Sequence, residues 1–135
     1  MQFELHPQLA ADSTPVCALD VCDVRLMNDA RWPWMLLIPR RAGRRELHDL
    51  DPEDLDRVMR EAAAVGRALH AVTHAEKINT AALGNAVEQL HVHVVARRRG
   101  DTNWPRPVWG YPGHVGYNDA TRLWLTERVC ALLGR

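Results

Sequence analysis

No charge of either sign predominates in this chain, because seventeen basic and seventeen acidic residues cancel. A balanced surface offers no broad field for DNA, RNA or an anionic membrane, so any anion it binds must be gripped locally. No run approaches the ~18 apolar residues of a membrane span, and no basic N-terminal segment leads into an apolar stretch. The expectation is a cytoplasmic protein without nucleic-acid or membrane partners. Cysteine is scarce and odd in number: Cys17, Cys22 and Cys130 do not read as a disulfide framework. If Cys17 and Cys22 share a strand, their odd separation puts them on opposite faces, where they cannot chelate one zinc together, and buried free thiols are expected. Repeats, low-complexity tracts and interdomain linkers are missing as well. What is present, 135 residues with 47% hydrophobic and 25% charged, suits a single domain over 1–135 that buries roughly two-thirds of its unfolded surface.

Residues 16–27 alternate locally and contain β-branched side chains, which predicts a strand ending at Asn28-Asp29. Trp34-Met-Leu-Leu-Ile38, closed by Pro39, predicts a second strand, antiparallel to the first because the connection is short. Asp51-Pro52-Glu53-Asp54 has the grammar of a helix start, with an Asp cap, Pro in the first turn and acidic groups at the positive end of the dipole. Leu55, Val58, Met59, Ala62, Val65, Leu69 and Val72 then recur at helical spacing, giving one long helix that covers the sheet. A third strand over 77–83 turns at Gly84-Asn85 into a histidine-bearing strand. The stretch from Trp104 to Gly113 is too rich in Pro and Gly for regular structure, and Asn118 or Asp119 caps a final helix. The fold class is α+β: an antiparallel sheet with one long helix packed across it and a C-terminal helix.

Chemistry concentrates in Gln89-Leu90-His91-Val92-His93-Val94-Val95-Ala96-Arg97. Alternate residues of a strand face opposite sides, so Gln89, His91 and His93 line one face while Leu90, Val92 and Val94 face a core. The imidazoles then stand about 7 Å apart along a rigid support. Such a pair can be a hydrogen-bonded structural feature, half of a metal site, or a nucleophile with a charge-stabilising neighbour. A metal lacks partners: Gln89 is a poor zinc ligand and Glu88 points to the opposite face. One imidazole attacking phosphorus beside a second that steadies the phosphate oxygens suits the spacing best.

Gln89-Leu-His91-Val-His93-Val-Val resembles the signature of the histidine-triad superfamily, in which three histidines alternate with hydrophobic residues and two more hydrophobics follow. The resemblance runs from about Asn28 to Asp101, through Ile38-Pro39-Arg40 and Glu46-Leu-His-Asp-Leu50 before the long helix. It implies a HIT-like fold, a homodimer, and a nucleotide-binding hydrolase or transferase that cleaves a nucleoside monophosphate from a phosphoramidate, a dinucleoside polyphosphate or a related ester. That chemistry runs through a covalent nucleotidyl-histidine and implies a small nucleotide-like partner and no cofactor or metal. By position, His91 matches the nucleophile and His93 the last histidine, which with backbone amides steadies the phosphate oxygens. Asn28 resembles the ribose-binding Asp or Asn, and Asn85 the polar residue that reaches ribose or phosphate, although turn chemistry also explains an Asn there. Two positions depart from the pattern: Gln89 replaces the first histidine, where it is expected to bind the nucleotide by hydrogen-bonding a neighbour or the phosphate, and Trp34 is the best match to a further one. Neither an amide nor an indole exchanges a proton near neutral pH, so the alternative is a nucleotide-binding module with little or no turnover.

Other residues carry two readings each. Arg97 reads as a solvated arginine at a strand end or as an extension of a positive rim. His70 and His74, one turn apart, answer either to the helix dipole or to a metal. His114, after the tryptophan loop, is a candidate replacement for the missing proton carrier. Trp104, Trp109 and Tyr111 stack on a base, cross a dimer interface, or pin their loop to the body.

Overall fold

The computed structural model describes all residues, 1–135. A short helix α1 (Pro7–Asp12) leads into strands β1 (Ser13–Ala18), β2 (Cys22–Met27) and β3 (Trp34–Pro39). One turn of 3-10 helix at Leu47–Asp49 precedes the long helix α2 (Pro52–Thr73), followed by β4 (Lys77–Ala81), β5 (Val92–Arg97) and α3 (Asp119–Leu132). The strands form one antiparallel sheet in the order β1-β2-β3-β5-β4. This is the α+β architecture that the hydrophobic patterning predicts, and no helix is long and apolar enough to cross a membrane.

The single strand expected over 16–27 is two strands. Leu19-Asp20-Val21 turns the chain, and the Leu19 amide bonds the Cys22 carbonyl at 2.8 Å. The turn is hard to read because apolar residues flank it on both sides; Glu61 of α2 secures it by accepting from the amides of Val21 (3.0 Å) and Cys22 (2.8 Å). Cys17 and Cys22 therefore lie on different strands, and all three cysteines are free thiols. Burial pushes the Cys17 thiol up to about 12, with the neighbouring Cys130 adding to the shift.

α2 starts at Pro52 as expected, and Asp51 occupies the cap position without a side-chain cap bond. It ends at His74, whose left-handed backbone (φ 56°) returns its amide to the His70 carbonyl at 2.8 Å. His70 and His74 are exposed at this helix end. Val58, Ala62, Val65 and Leu69 press onto one face of the sheet, where they meet Val24, Leu26, Met35, Leu37, Val92 and Val94. Leu125 and Val129 of α3, capped by the Asn118 side chain on the Thr121 amide (2.8 Å), complete this core.

The opposite face is buried too, under a second and smaller cluster of Leu9, Trp32, Trp34, Leu36, Ile38, Val95 and Val108. The inner strands β3 and β5 are both buried along their whole length, which explains why β3 reads as a continuous apolar run, whereas β5 keeps its alternation because His93 and Arg97 are buried polar groups. The second face, away from the two long helices, is the one that carries His93.

Candidate functional site

Register fixes where the histidines stand. In β5 His93 pairs with Leu36 of β3, and His91 sits immediately ahead of the first strand residue, Val92, which pairs with Leu37. Leu90, Val92 and Val94 point into the α2 core, so His91 and His93 emerge together on the other face. Their ring centroids are 4.8 Å apart at an interplanar angle of 67°, closer than the pleat spacing alone implies. Both are buried, at 6% and 5% exposure.

What each ring nitrogen meets decides its chemistry. His91 Nδ1 lies 2.6 Å from the Gln89 carbonyl. A carbonyl only accepts, so Nδ1 carries the proton and the Nε2 lone pair stays free. His93 is bonded at both nitrogens: the Trp34 indole Nε1–H donates to Nδ1 at 3.0 Å, and Nε2 lies 2.9 Å from the Leu83 carbonyl. Burial pushes His93 down to about 4 against a small opposing pull from the Leu83 carbonyl, and His91 lowers it further. His93 is thus a neutral imidazole with no N–H left for a phosphate oxygen, contrary to the expectation that it clamps one. Trp109 packs edge-on against His93 (5.3 Å) and Trp34 (6.3 Å), completing an aromatic surround.

These rings open onto a cavity of about 510 Å³ that Asn28, Trp34, Asn85, His91, His93, Trp109, Tyr111 and His114 all line. A polar cavity of about 360 Å³, lined by Arg45, Glu46, Glu88 and Gln89, shares His91, Gly84 and Asn85 with it. His91 stands at the junction of the two. Gly84 is required there, since a Cβ would come within 2.8 Å of the Val87 carbonyl and 3.7 Å of His91 Cε1. The Gln89 side chain turns aside: its amide accepts from the His6 backbone (2.9 Å) and donates to the Glu4 carbonyl (2.8 Å), tethering the N-terminal segment.

Three lining residues escape sequence reasoning: Asp29, Arg31 and Trp32. Arg31 forks onto Asp29 at 2.9 and 2.7 Å and donates to the carbonyls of Pro112 (2.9 Å) and Gly113 (2.6 Å). It also lies over the rings of Trp32 (4.7 Å) and Tyr111 (5.3 Å). Burial opposes the Asp29 charge, but the Arg31 guanidinium and the amides of Arg31 and Val115 outweigh it and hold the carboxyl below its usual range. The aromatic loop is thereby strapped over the cavity mouth, and Asn28 adds to the strap by accepting from the Tyr117 amide at 3.1 Å. The only sequence signal was an Asp and an Arg two residues apart in a loop. His114, on the same strap, is exposed and makes no side-chain hydrogen bond within the protein.

Arg97 corrects an expectation. It is not solvated but 1% exposed, forking onto Asp101 at 2.8 Å twice, donating to Asn79 (3.2 Å) and to the Arg106 carbonyl (2.8 Å), and stacking on Trp104 (5.4 Å). No group of three or more His, Cys, Asp or Glu side chains gathers around a potential metal position. At the histidine pair only His91 Nε2 is open to a ligand.

Comparison with known proteins agrees with this geometry. A family model described as the HIT domain matches residues 8–100. A histidine triad (HIT) protein from Sinorhizobium meliloti 1021 superimposes with a TM-score of 0.94 at 44% identity, over 96% of each chain. A histidine triad protein from Marinobacter aquaeolei VT8 gives 0.96 at 40% identity, over 99% of this chain and 98% of that one. One from Bradyrhizobium japonicum gives 0.95 at 39%, over 97% and 98%. Among curated proteins none matches. The match over most of the chain, together with the paired imidazoles on one face of an antiparallel sheet, establishes that this chain belongs to the histidine triad family.

Proposed function

We propose that this protein binds a small nucleotide and hydrolyses it or transfers its nucleotidyl group through a covalent adduct on His91. The substrate is a nucleoside monophosphate joined through its phosphorus to a leaving group of one of two classes, an amine as in a phosphoramidate or a further nucleotide as in a dinucleoside polyphosphate. The observation that carries this reading is the His91 ring itself, its Nδ1–H held by the Gln89 carbonyl and its Nε2 free at the meeting point of two cavities. Nε2 attacks the α-phosphorus, and water later releases the monophosphate. Asn85, at the junction, supplies a hydrogen-bond donor for phosphate oxygens. Asn28 takes the ribose end. His93 acts as the wall against which the His91 ring is set.

A second reading, a nucleotide-binding module without turnover, draws on the fully bonded His93 and the averted Gln89 side chain. Trapping with a labelled nucleotide substrate separates the two. Wild type should yield a phosphorylated histidine at His91; His91→Ala should yield none, lose several powers of ten in rate, and keep its affinity for AMP or GMP by calorimetry. Binding without an adduct in wild type would favour the module.

We also propose that two copies of the chain associate. β4 is a free sheet edge, and beside it Met59, Ala62, Ala63 and Ile78, with Arg67, His70 and Thr80, line a groove of about 750 Å³ between that strand and α2.

A further inference from the structure

We infer that Trp34 is a positioning residue which fixes His93 as a neutral imidazole protonated on Nε2, and that this restricts the site to substrates whose leaving group departs as an anion. The inference deepens the reading of His91 as nucleophile, on which its second half rests. An indole N–H donates and never accepts, so the 3.0 Å contact obliges His93 Nδ1 to be the acceptor. A carbonyl accepts and never donates, so the 2.9 Å contact to Leu83 obliges Nε2 to carry the hydrogen. Each partner demands the same tautomer, and together they leave no position for a second proton. Packed against the ring are Trp34 of β3, Trp109 and Leu83 of the loops, and His91 two residues earlier; of these only His91 carries an ionisable side chain, and no carboxylate faces the ring to stabilise a charge.

The consequence lies in how the bond at phosphorus breaks. His91 Nε2 gives its lone pair to the α-phosphorus while the bond to the leaving group breaks, the electron pair going with that group. A phosphate or polyphosphate accepts the pair on oxygen and leaves as an anion, with no proton needed. The adduct keeps its Nδ1–H on the Gln89 carbonyl, so the ring bears a positive charge that offsets the phosphate. Water then attacks phosphorus, returns the pair to Nε2 and passes a proton to solvent. An alkylamine, by contrast, must receive a proton on nitrogen as it departs, and the histidine face offers none: His91 uses its N–H on Gln89, and His93 uses its own on Leu83. The other imidazole lining the cavity, His114, stands between Gly113 and Val115, whose backbone is bonded to Arg31 and Asp29 beyond the Trp34 end of β3, whereas His91 lies beyond the Leu37 level. The site is therefore built for phosphoric anhydrides rather than alkyl phosphoramidates.

Two readouts test this. Nitrogen NMR of the wild type should find His93 protonated on Nε2 alone and neutral from about pH 8 down to about pH 5. In Trp34→Phe, Nδ1 loses its donor and becomes free to take a proton, so its nitrogen resonance should shift and the ring should protonate at a higher pH than in wild type, while the Leu83 carbonyl still holds the Nε2–H. In turnover, kcat/KM for diadenosine tetraphosphate should exceed that for adenosine butylphosphoramidate by roughly 100-fold or more. Trp34→His, which returns a proton-exchanging group beside His93, should narrow the ratio, and His114→Ala should leave it unchanged. Overturning results are a wild-type His93 protonated on Nδ1, equal rates on both substrates with an adduct on His91, or a phosphoramidate rate that depends on His114. Absence of any adduct on either substrate would instead remove the nucleophile reading and the inference with it.

Discussion

Two imidazoles two residues apart on one face differ in chemistry because of single atoms opposite their nitrogens. His91 meets one carbonyl and keeps a lone pair; His93 meets a donor and an acceptor and keeps nothing. The difference has a thermodynamic signature. His93 titrates at about 4 in the folded protein against 6.5 for a free side chain, so below 6.5 the unfolded chain binds a proton that the folded one refuses. Its contribution to stability is fully present above 6.5 and is lost as pH falls from 6.5 towards 4. The full loss amounts to about 3 kcal/mol, by the conversion of 1.36 kcal/mol per unit. Urea midpoints measured at about pH 7 and about pH 4.5 should fall more steeply for wild type than for His93→Gln, which has no group to titrate there. Parallel slopes would mean that the ring is accessible to protons after all.

Among the elements, β5 does two tasks at its two ends. Its start delivers the histidines, and its last residue, Arg97, gathers β4, the 98–101 turn and the 104–106 loop through Asp101, Asn79, the Arg106 carbonyl and the Trp104 face. Asp101 is held below its usual range by the outcome of two opposed effects, burial raising it and the Arg97 fork, with the Arg98 amide, lowering it further. Arg97→Ala strands that carboxylate in a buried place, and loss of one partner of such a pair costs about 3–5 kcal/mol. Chemical denaturation should report a loss of that size, while a change below about 0.5 kcal/mol, the level of ordinary surface substitutions, would contradict the arrangement. The sequence does not expose this role because a terminal arginine after a strand is usually solvated; only the folding back of the Pro-rich loop buries it.

Across the whole molecule, one sheet face is sealed by α2 and α3 and the other by an N-terminal segment, a tryptophan cluster and a loop strapped by Arg31. The free β4 edge and its groove give the association prediction its form. Light scattering should return twice the mass of one chain, and Met59→Arg, which sets a second positive charge into a groove that already carries Arg67, should weaken the assembly at least tenfold (about 1.4 kcal/mol). A wild-type monomer at micromolar concentration would dismiss it.

Local pattern alone determined much of this protein. Helical spacing gave α2, cap chemistry gave α3, an apolar run marked β3 and alternation marked β5, because those signals depend on neighbours a few residues away. Alternation also put His91 and His93 on one face. Only the tertiary structure decided the turn at Leu19–Val21, the turning away of Gln89, the burial of Arg97, and the meeting of Asp29 and Arg31 with residues 112–115. Above all it set Trp34 against His93, fifty-nine positions away. Which atom lies opposite a ring nitrogen is settled by strand order and register across the sheet, and no spacing within one segment encodes it.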